Sequence, residues 1–175
     1  MAEHGTYLVA DVWMGDWTIE QGEREGWSPN VMRKLRETTD VQREGFAKAV
    51  EAGVRIAFGT DSGTYPHGMN AHQFATMVKL RMTPIEAIRS ATVVAAEPSG
   101  GETEWARSSP GCFADLVAVR GDVLSDVGLL TDVDVVMKGG EDPLGRVSPV
   151  SHRSGSRSTL SSLSPATRNT EGARR

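Results

Sequence analysis

The stretch AVEAGVRIAFGTDSG, residues 49–63, holds a helix end, a tight turn, a short apolar strand and a polar loop. Gly53 suits the left-handed residue that ends many helices. The run at 54–58 lacks apolar–polar alternation, which predicts a strand covered on both faces, as in parallel sheets. Asp61 follows three residues after that strand. Helix, turn, strand and loop in this order predict an α/β fold.

The preceding helix has clear boundaries. Ser28 is a typical N-cap and Pro29 suits the first helical position, so we predict a helix over 29–52 with Gly45 as its weak point. The same signals elsewhere predict a strand at 6–13, a long loop at 14–27, a helix at 70–80 capped by Asn70, and a helix from Pro84 that Pro98 ends.

The helix that begins at Pro84 has the clearest N-terminal signal in the sequence. Thr83 and Glu86 form a Thr-x-x-Glu capping box around it. Its apolar residues recur at helical spacing and predict a buried stripe formed by Ile85, Ile88, Ala91, Thr92 and Ala95.

The remainder of the chain divides into two parts. Apolar runs at 114–119 and 133–140, bounded by glycine turns, predict strands of a small β-rich unit at 101–141, after an α/β part at 1–100. Residues 142–175 contain eight serines and six arginines and no aromatic residue, which predicts a disordered tail.

Charge and composition exclude several functions. Residues 1–141 hold 13 Lys and Arg against 21 Asp and Glu, whereas 142–175 hold 6 against 2. The acidic composition of residues 1–141 argues against nucleic-acid binding, which needs a clustered basic face. The basic tail alone would give only a weak positive electrostatic field. We therefore expect a small substrate and no nucleic-acid partner.

Cys112 is the single cysteine, so neither an internal disulfide nor a thiolate metal cluster is possible within the chain. We find no signal peptide and no apolar run long enough for a membrane span. The sequence therefore predicts a cytoplasmic, soluble protein without a membrane partner, and leaves a homo-oligomer open.

Asp61 is the candidate for chemistry. Loops at the carboxyl ends of parallel strands build active sites in α/β folds, and a carboxylate there can bind a metal or move a proton. An aspartate beside Gly63 can also serve only to hold a turn. Asp-Ser-Gly-Thr at 61–64 also matches the aspartic protease loop. That class is mostly β, which the predicted helices oppose.

The order of motifs over residues 5–140 resembles the C-terminal part of the metal-dependent amidohydrolases, in their imidazolonepropionase-like and Xaa-Pro dipeptidase-like branch. The matching segments are GVRIAFGTDSG (53–63), PHGMNAHQFATMV (66–78), MTPIEAIRSATVVAAE (82–97), PGCFADLVAVRGDVLSDVGLL (110–130) and VDVVMKGG (133–140). Departures include Arg81 where a glycine is usual and Gln73 where an acid is common.

The resemblance implies a fold and a role for Asp61. The family has a (β/α)8 barrel with a small β-sandwich, so the strands at 6–13 and 54–58 would be the last two of an incomplete barrel. Family members hydrolyse amide or other C–N bonds with a metal-activated water. Asp61 would be a catalytic residue and a metal ligand, and the resemblance implies that the metal is zinc. The family's other metal ligands would lie upstream.

Four further residues are candidate substrate contacts. His67 and Asn70 lie in the loop after Asp61 and are candidate substrate contacts, as are Trp13 and Trp17 after the first strand. His4 is interpreted as a surface residue. His72 is interpreted as solvated.

Two functions remain open from the sequence. The chain is a fragment of a hydrolase acting on a dipeptide, Xaa-Pro or another, or on a cyclic amide, and is inactive alone with no metal bound. The alternative is a non-catalytic remnant or small binding protein without metal.

Overall fold

The computed structural model describes residues 1–100, 105–143 and 145. Its first part is a mixed α/β unit in which two parallel strands pair in register, Tyr7 beside Arg55 through Ala10 beside Phe58. The elements are β1 (Tyr7–Ala10), α1 (Met14–Glu25), α2 (Pro29–Glu51), β2 (Arg55–Phe58), α3 (His72–Lys79), α4 (Pro84–Ser90), α5 (Val93–Ala96), β3 (Leu116–Ala118) and β4 (Val135–Met137). Within the described residues neither sheet closes on itself. The α/β prediction is confirmed.

Helix α2 forms as its sequence predicts. The Ser28 hydroxyl accepts from the Val31 amide at 3.5 Å, Pro29 begins the helix, and Gly53 has a φ of 66° beyond its end. Gly45 does not interrupt the helix. Strand β2 follows directly, and its consecutive residues Ile56 and Ala57 are both buried, as a strand covered on both faces requires.

Helix α1 corrects the prediction of a long loop at 14–27. Its buried residues are Gly15 and Gly22. A β-carbon at Gly15 would lie 2.6 Å from the Thr39 side chain of α2, and one at Gly22 would lie 2.6 Å from the Met32 sulfur. Both glycines therefore form the contact face against α2, and only Gly26, with a φ of 68°, ends the helix.

Two glycine-to-alanine changes test this packing. We expect Gly15→Ala to lower the free energy of unfolding, because its β-carbon would meet the buried Thr39 side chain at 2.6 Å. Gly45→Ala is the matched control, since nothing lies within 4 Å of its β-carbon. Alanine there should raise stability by about 0.5–1 kcal/mol. Urea denaturation of the purified chain measures both, and equal effects of one sign would contradict the close helix contact.

The segment after α3 partly confirms the prediction. The Thr83 hydroxyl accepts from the Glu86 amide and Glu86 accepts from the Thr83 amide, so the capping box is present. The Thr83 hydroxyl also donates to the Glu86 carboxylate at 2.7 Å, and this hydrogen bond, followed by the one from the Thr83 amide, lowers the pKa of Glu86. The single helix ending at Pro98 is wrong, because α4 stops at Ser90 and α5 begins at Val93.

The predicted stripe on this segment is wrong at Ile85, which is 46% exposed, whereas Ala87 and Ser90 are buried. The other predicted members are half-buried, namely Ile88, Ala91, Thr92 and Ala95. Small residues face the core here because Met77 of α3 packs closely, with the Ser90 hydroxyl 4.0 Å from its sulfur.

The core joins both strands to the helices. Its buried members are Ala10, Val12, Phe46, Ile56, Met77, Met82 and Ala87. The predicted strand at 6–13 ends earlier than expected, at Ala10. The core and the pairing of β1 with β2 hold the carboxyl ends of the two strands side by side.

The second part contains the antiparallel pair β3 and β4, with Leu116 opposite Met137. Both predicted strands are therefore present, although shorter than the apolar runs. The predicted tail lies outside the described residues, apart from 142, 143 and 145. Among the described residues, no helix combines the length and apolarity needed to cross a bilayer.

Candidate functional site

Asp61 lies where the sequence predicts, just beyond the carboxyl end of β2. Its side chain is exposed, and its φ is 43°. Left-handed backbone is uncommon outside glycine, although aspartate and asparagine adopt it more readily than most residues. Within the described part of the chain, no hydrogen bond or ion pair engages its carboxylate. That carboxylate is therefore available to a ligand.

Two buried polar side chains hold the backbone that leads to Asp61. Gln73 of α3 is 1% exposed and its amide nitrogen donates to the Ala10 carbonyl at 2.9 Å and to the Gly59 carbonyl. Tyr65 is 3% exposed and donates to the Thr60 carbonyl at 3.0 Å.

Sequence reasoning gave neither of these two residues a role. One signal was available for Gln73, because it lies one helical turn before the fully buried Met77 and therefore on the same face of α3.

An aromatic cluster lies beside this loop. The Trp13 ring stacks on His72 with centroids 4.9 Å apart and meets the Tyr65 ring edge-on at 4.8 Å. Trp17 lies 6.3 Å from Tyr65. His72 is exposed as predicted, yet its ring contacts Trp13. The two tryptophans are thus near the Asp61 loop, and their contact with a substrate stays a prediction.

The structure also gives positions for His67, His4 and Asn70. His67 is exposed in the loop between Asp61 and α3, and His4 is exposed in a short turn before β1. The prediction that Asn70 caps α3 is wrong, because Ala71 is the residue at the N-cap and no side chain caps the helix. The Asn70 Oδ1 atom is instead buried, without a hydrogen-bond partner in the described residues. Substrate contacts of His67 and Asn70 stay predictions.

A second carboxylate, Asp11, directly follows β1. The strand register pairs Ala10 with Phe58, so Asp11 lies beside the backbone that leads to Asp61. Gln42 of α2 donates to the Asp11 carboxylate at 3.1 Å and to its carbonyl at 3.2 Å. The sequence pattern places Asp11 inside a longer strand and so gives it no role, although an acid inside an apolar run is a usable signal.

Asp61 and Thr64 border a cleft of about 430 Å³ that reaches helices α1 and α2. Its lining combines threonines with apolar residues. The α1 and α2 residues that line it are Met14, Gly15, Thr18, Leu35, Thr38, Thr39 and Gln42. A larger cavity of about 700 Å³ is lined mainly by β2, α4 and α5 and includes no residue of the Asp61 loop. The smaller cleft is therefore the one beside the candidate chemistry.

The described residues do not by themselves fit a catalytic metal. A catalytic zinc takes about three protein ligands and an open position. Among residues 1–100, 105–143 and 145, no three His, Cys, Asp or Glu side chains are grouped to hold one. Asp61 is suited to be one ligand, because its carboxylate is exposed and unpaired there.

Comparisons with known proteins agree on one family. A family model described as "Amidohydrolase family" matches residues 1–142. Ochratoxinase of Aspergillus niger is 32% identical over 123 residues, covering 67% of this chain and 24% of that protein.

Solved structures resemble the fold as well. A Xaa-Pro dipeptidase with methionine bound in its active site superimposes with a TM-score of 0.74 at 37% identity, covering 81% of this chain and 35% of that one. A prolidase complexed with N-methylphosphonate-L-proline gives a TM-score of 0.69 at 29% identity, over 81% and 36%. The chain thus spans about a quarter to a third of the length of these relatives.

Proposed function

The chain belongs to the amidohydrolase family, and we propose that it supplies one part of the active site of a hydrolase acting on a C–N bond. In this proposal β1 and β2 are the last two strands of a (β/α)8 barrel, and β3 and β4 belong to a small β-sandwich. The parallel pairing of β1 with β2 and the antiparallel pairing of β3 with β4 support it.

The carrying observation is the free carboxylate of Asp61 at the carboxyl end of β2. Active sites of barrel enzymes lie at that end of the strands. An exposed carboxylate without a partner among the described residues can bind a cation and can accept a proton from a water molecule. We assign Asp61 both roles, as catalytic residue and metal ligand.

The metal is a divalent ion, zinc by family resemblance, and it would supply a Lewis acid that makes bound water more acidic. Among the described residues only Asp61 is proposed as a ligand, and the proposal takes the remaining ligands from other parts of the enzyme. On this proposal we expect the 175-residue chain alone to be inactive and to retain no stoichiometric metal.

The proposed substrate is a dipeptide, Xaa-Pro among the candidates, or a cyclic amide. The relatives named Xaa-Pro dipeptidase and prolidase support the first of these. Trp13, which stacks on His72, and Trp17 lie beside the Asp61 loop, where they can cover an apolar or prolyl group.

A hybrid enzyme tests the proposal. Residues 5–140 of this chain would replace the structurally matching segment of the Xaa-Pro dipeptidase, and hydrolysis of methionyl-proline would be measured with zinc present. We expect the hybrid to hydrolyse the dipeptide, and the isolated chain to show no activity and no zinc by elemental analysis. A folded hybrid that binds zinc without turnover would favour the alternative of a non-catalytic remnant.

A further inference from the structure

We propose that Gln73 and Tyr65 act together as a clamp that sets the left-handed backbone of Asp61, and are thus positioning residues. The inference rests on the proposed role of Asp61 for its catalytic meaning, but its geometry stands independently. The clamp consists of the bonds from Gln73 to the Gly59 carbonyl and from Tyr65 to the Thr60 carbonyl.

Gln73 fixes the first of these carbonyls relative to both strands. Its amide nitrogen has two hydrogens, and it contacts the carbonyls of Ala10 and Gly59, which lie at the carboxyl ends of β1 and β2. A carboxylate at this position has no hydrogen to donate. The Gln73 amide can therefore hold both carbonyls, whereas a carboxylate in its place could donate to neither.

Space at Gly59 makes this arrangement tight. A β-carbon there would lie 2.6 Å from the Val9 side chain, and the Gly59 amide donates to the Ala10 carbonyl at 3.4 Å. The backbone after β2 thus runs directly against β1, with the buried Gln73 amide bridging the two.

Tyr65 fixes the next carbonyl. Its ring is 3% exposed and meets Trp13 edge-on at 4.8 Å, so its hydroxyl has a defined position when it donates to the Thr60 carbonyl. This carbonyl belongs to the peptide that precedes Asp61. Its direction therefore sets one side of the rotation measured by the Asp61 φ of 43°.

The two bonds compensate for what Asp61 itself lacks. Its conformation is uncommon for a residue with a side chain, and no hydrogen bond of its own carboxylate within the described residues supports it. Holding two consecutive carbonyls leaves the carboxylate free of structural duty. A clamp of this kind directs the free carboxylate without occupying its oxygens.

NMR of the isotopically labelled full chain tests the clamp without requiring activity or metal. A positive φ brings the amide hydrogen of a residue close to its own Hα, which gives a strong NOE between them. We expect this NOE at Asp61 in the wild type, and its loss in Gln73→Leu and weakening in Tyr65→Phe. Gln42→Leu is the matched control, since that glutamine binds the Asp11 carbonyl and carboxylate but not the Asp61 loop.

The contact between Phe58 and Phe74, with centroids 4.5 Å apart, reports in the same spectra that β2 still packs on α3. If Gln73→Leu loses that contact too, Tyr65→Phe decides, because it removes one oxygen and keeps the ring. Three results would overturn the inference. The wild type could lack the Asp61 NOE, Gln42→Leu could lose it to the same extent as Gln73→Leu, or the clamp variants that keep the Phe58–Phe74 contact could retain it at full strength. The proposed function can fail separately. If the clamp variants lose the NOE as expected but the hybrid enzyme with Asp61→Asn keeps its activity, the proposed function is refuted and the clamp is supported.

Discussion

Replacing Asp61 by asparagine in the hybrid enzyme is expected to reduce kcat/KM for methionyl-proline by about 10²–10⁴-fold, the usual contribution of a residue that moves a proton. Asparagine keeps the size of the side chain and tolerates the φ of 43°, so the backbone should not change. It lacks the negative charge that would bind a cation or accept a proton. Steady-state kinetics, with zinc content measured on the same samples, provides the test.

Asp40→Asn is the matched control for this change. Asp40 is exposed on α2, and no hydrogen bond or ion pair joins it to another described residue. The same substitution there should leave kcat/KM unchanged. If both variants keep full activity, Asp61 is not a catalytic residue and serves only to hold the turn.

Replacing Phe46 by alanine is expected to lower the free energy of unfolding by about 3–5 kcal/mol, the cost of removing a large aromatic side chain from a packed core. Phe46 is 2% exposed and belongs to the core that also contains Val12, Ile56 and Met77. The cavity would lie where α2 packs on the strands and α3. Urea denaturation of the chain, followed by circular dichroism, measures the loss.

Val41→Ala is the control on the same helix. Val41 is 70% exposed, so its truncation should change stability by less than about 0.5 kcal/mol. Similar losses for the two variants would mean that α2 does not pack through Phe46.

Local signals were enough for α2 and β2. The cap at Ser28, Pro29 at the first position and the stop at Gly53 act within a few residues of the backbone they control, so the pattern alone predicted both elements. The capping box at Thr83 and Glu86 was predicted for the same reason. The place of Asp61 after β2 follows from that local order.

Helix α1 shows where such reasoning fails. Glycines at 15 and 22 lower helix propensity, and the pattern therefore favoured a loop. In the folded chain the same glycines allow α1 to approach Thr39 and Met32 of α2. Packing against a neighbouring helix outweighs a propensity difference of about 1 kcal/mol per glycine. The exposure of Ile85 on α4 is a similar case, since the buried Ser90 contacts Met77 of α3 instead.

Patterns along the chain were sufficient for the α/β order of elements, the resemblance to the amidohydrolases and the position of Asp61 after a parallel strand. These follow from signals that lie close together along the chain. How Asp61 is held and what surrounds it depend on contacts between distant segments. Gln73 donates to the Ala10 carbonyl across 63 residues, and Trp13 contacts Tyr65 and His72. Such contacts depend on how the strands pair and the helices pack, which no local pattern specifies.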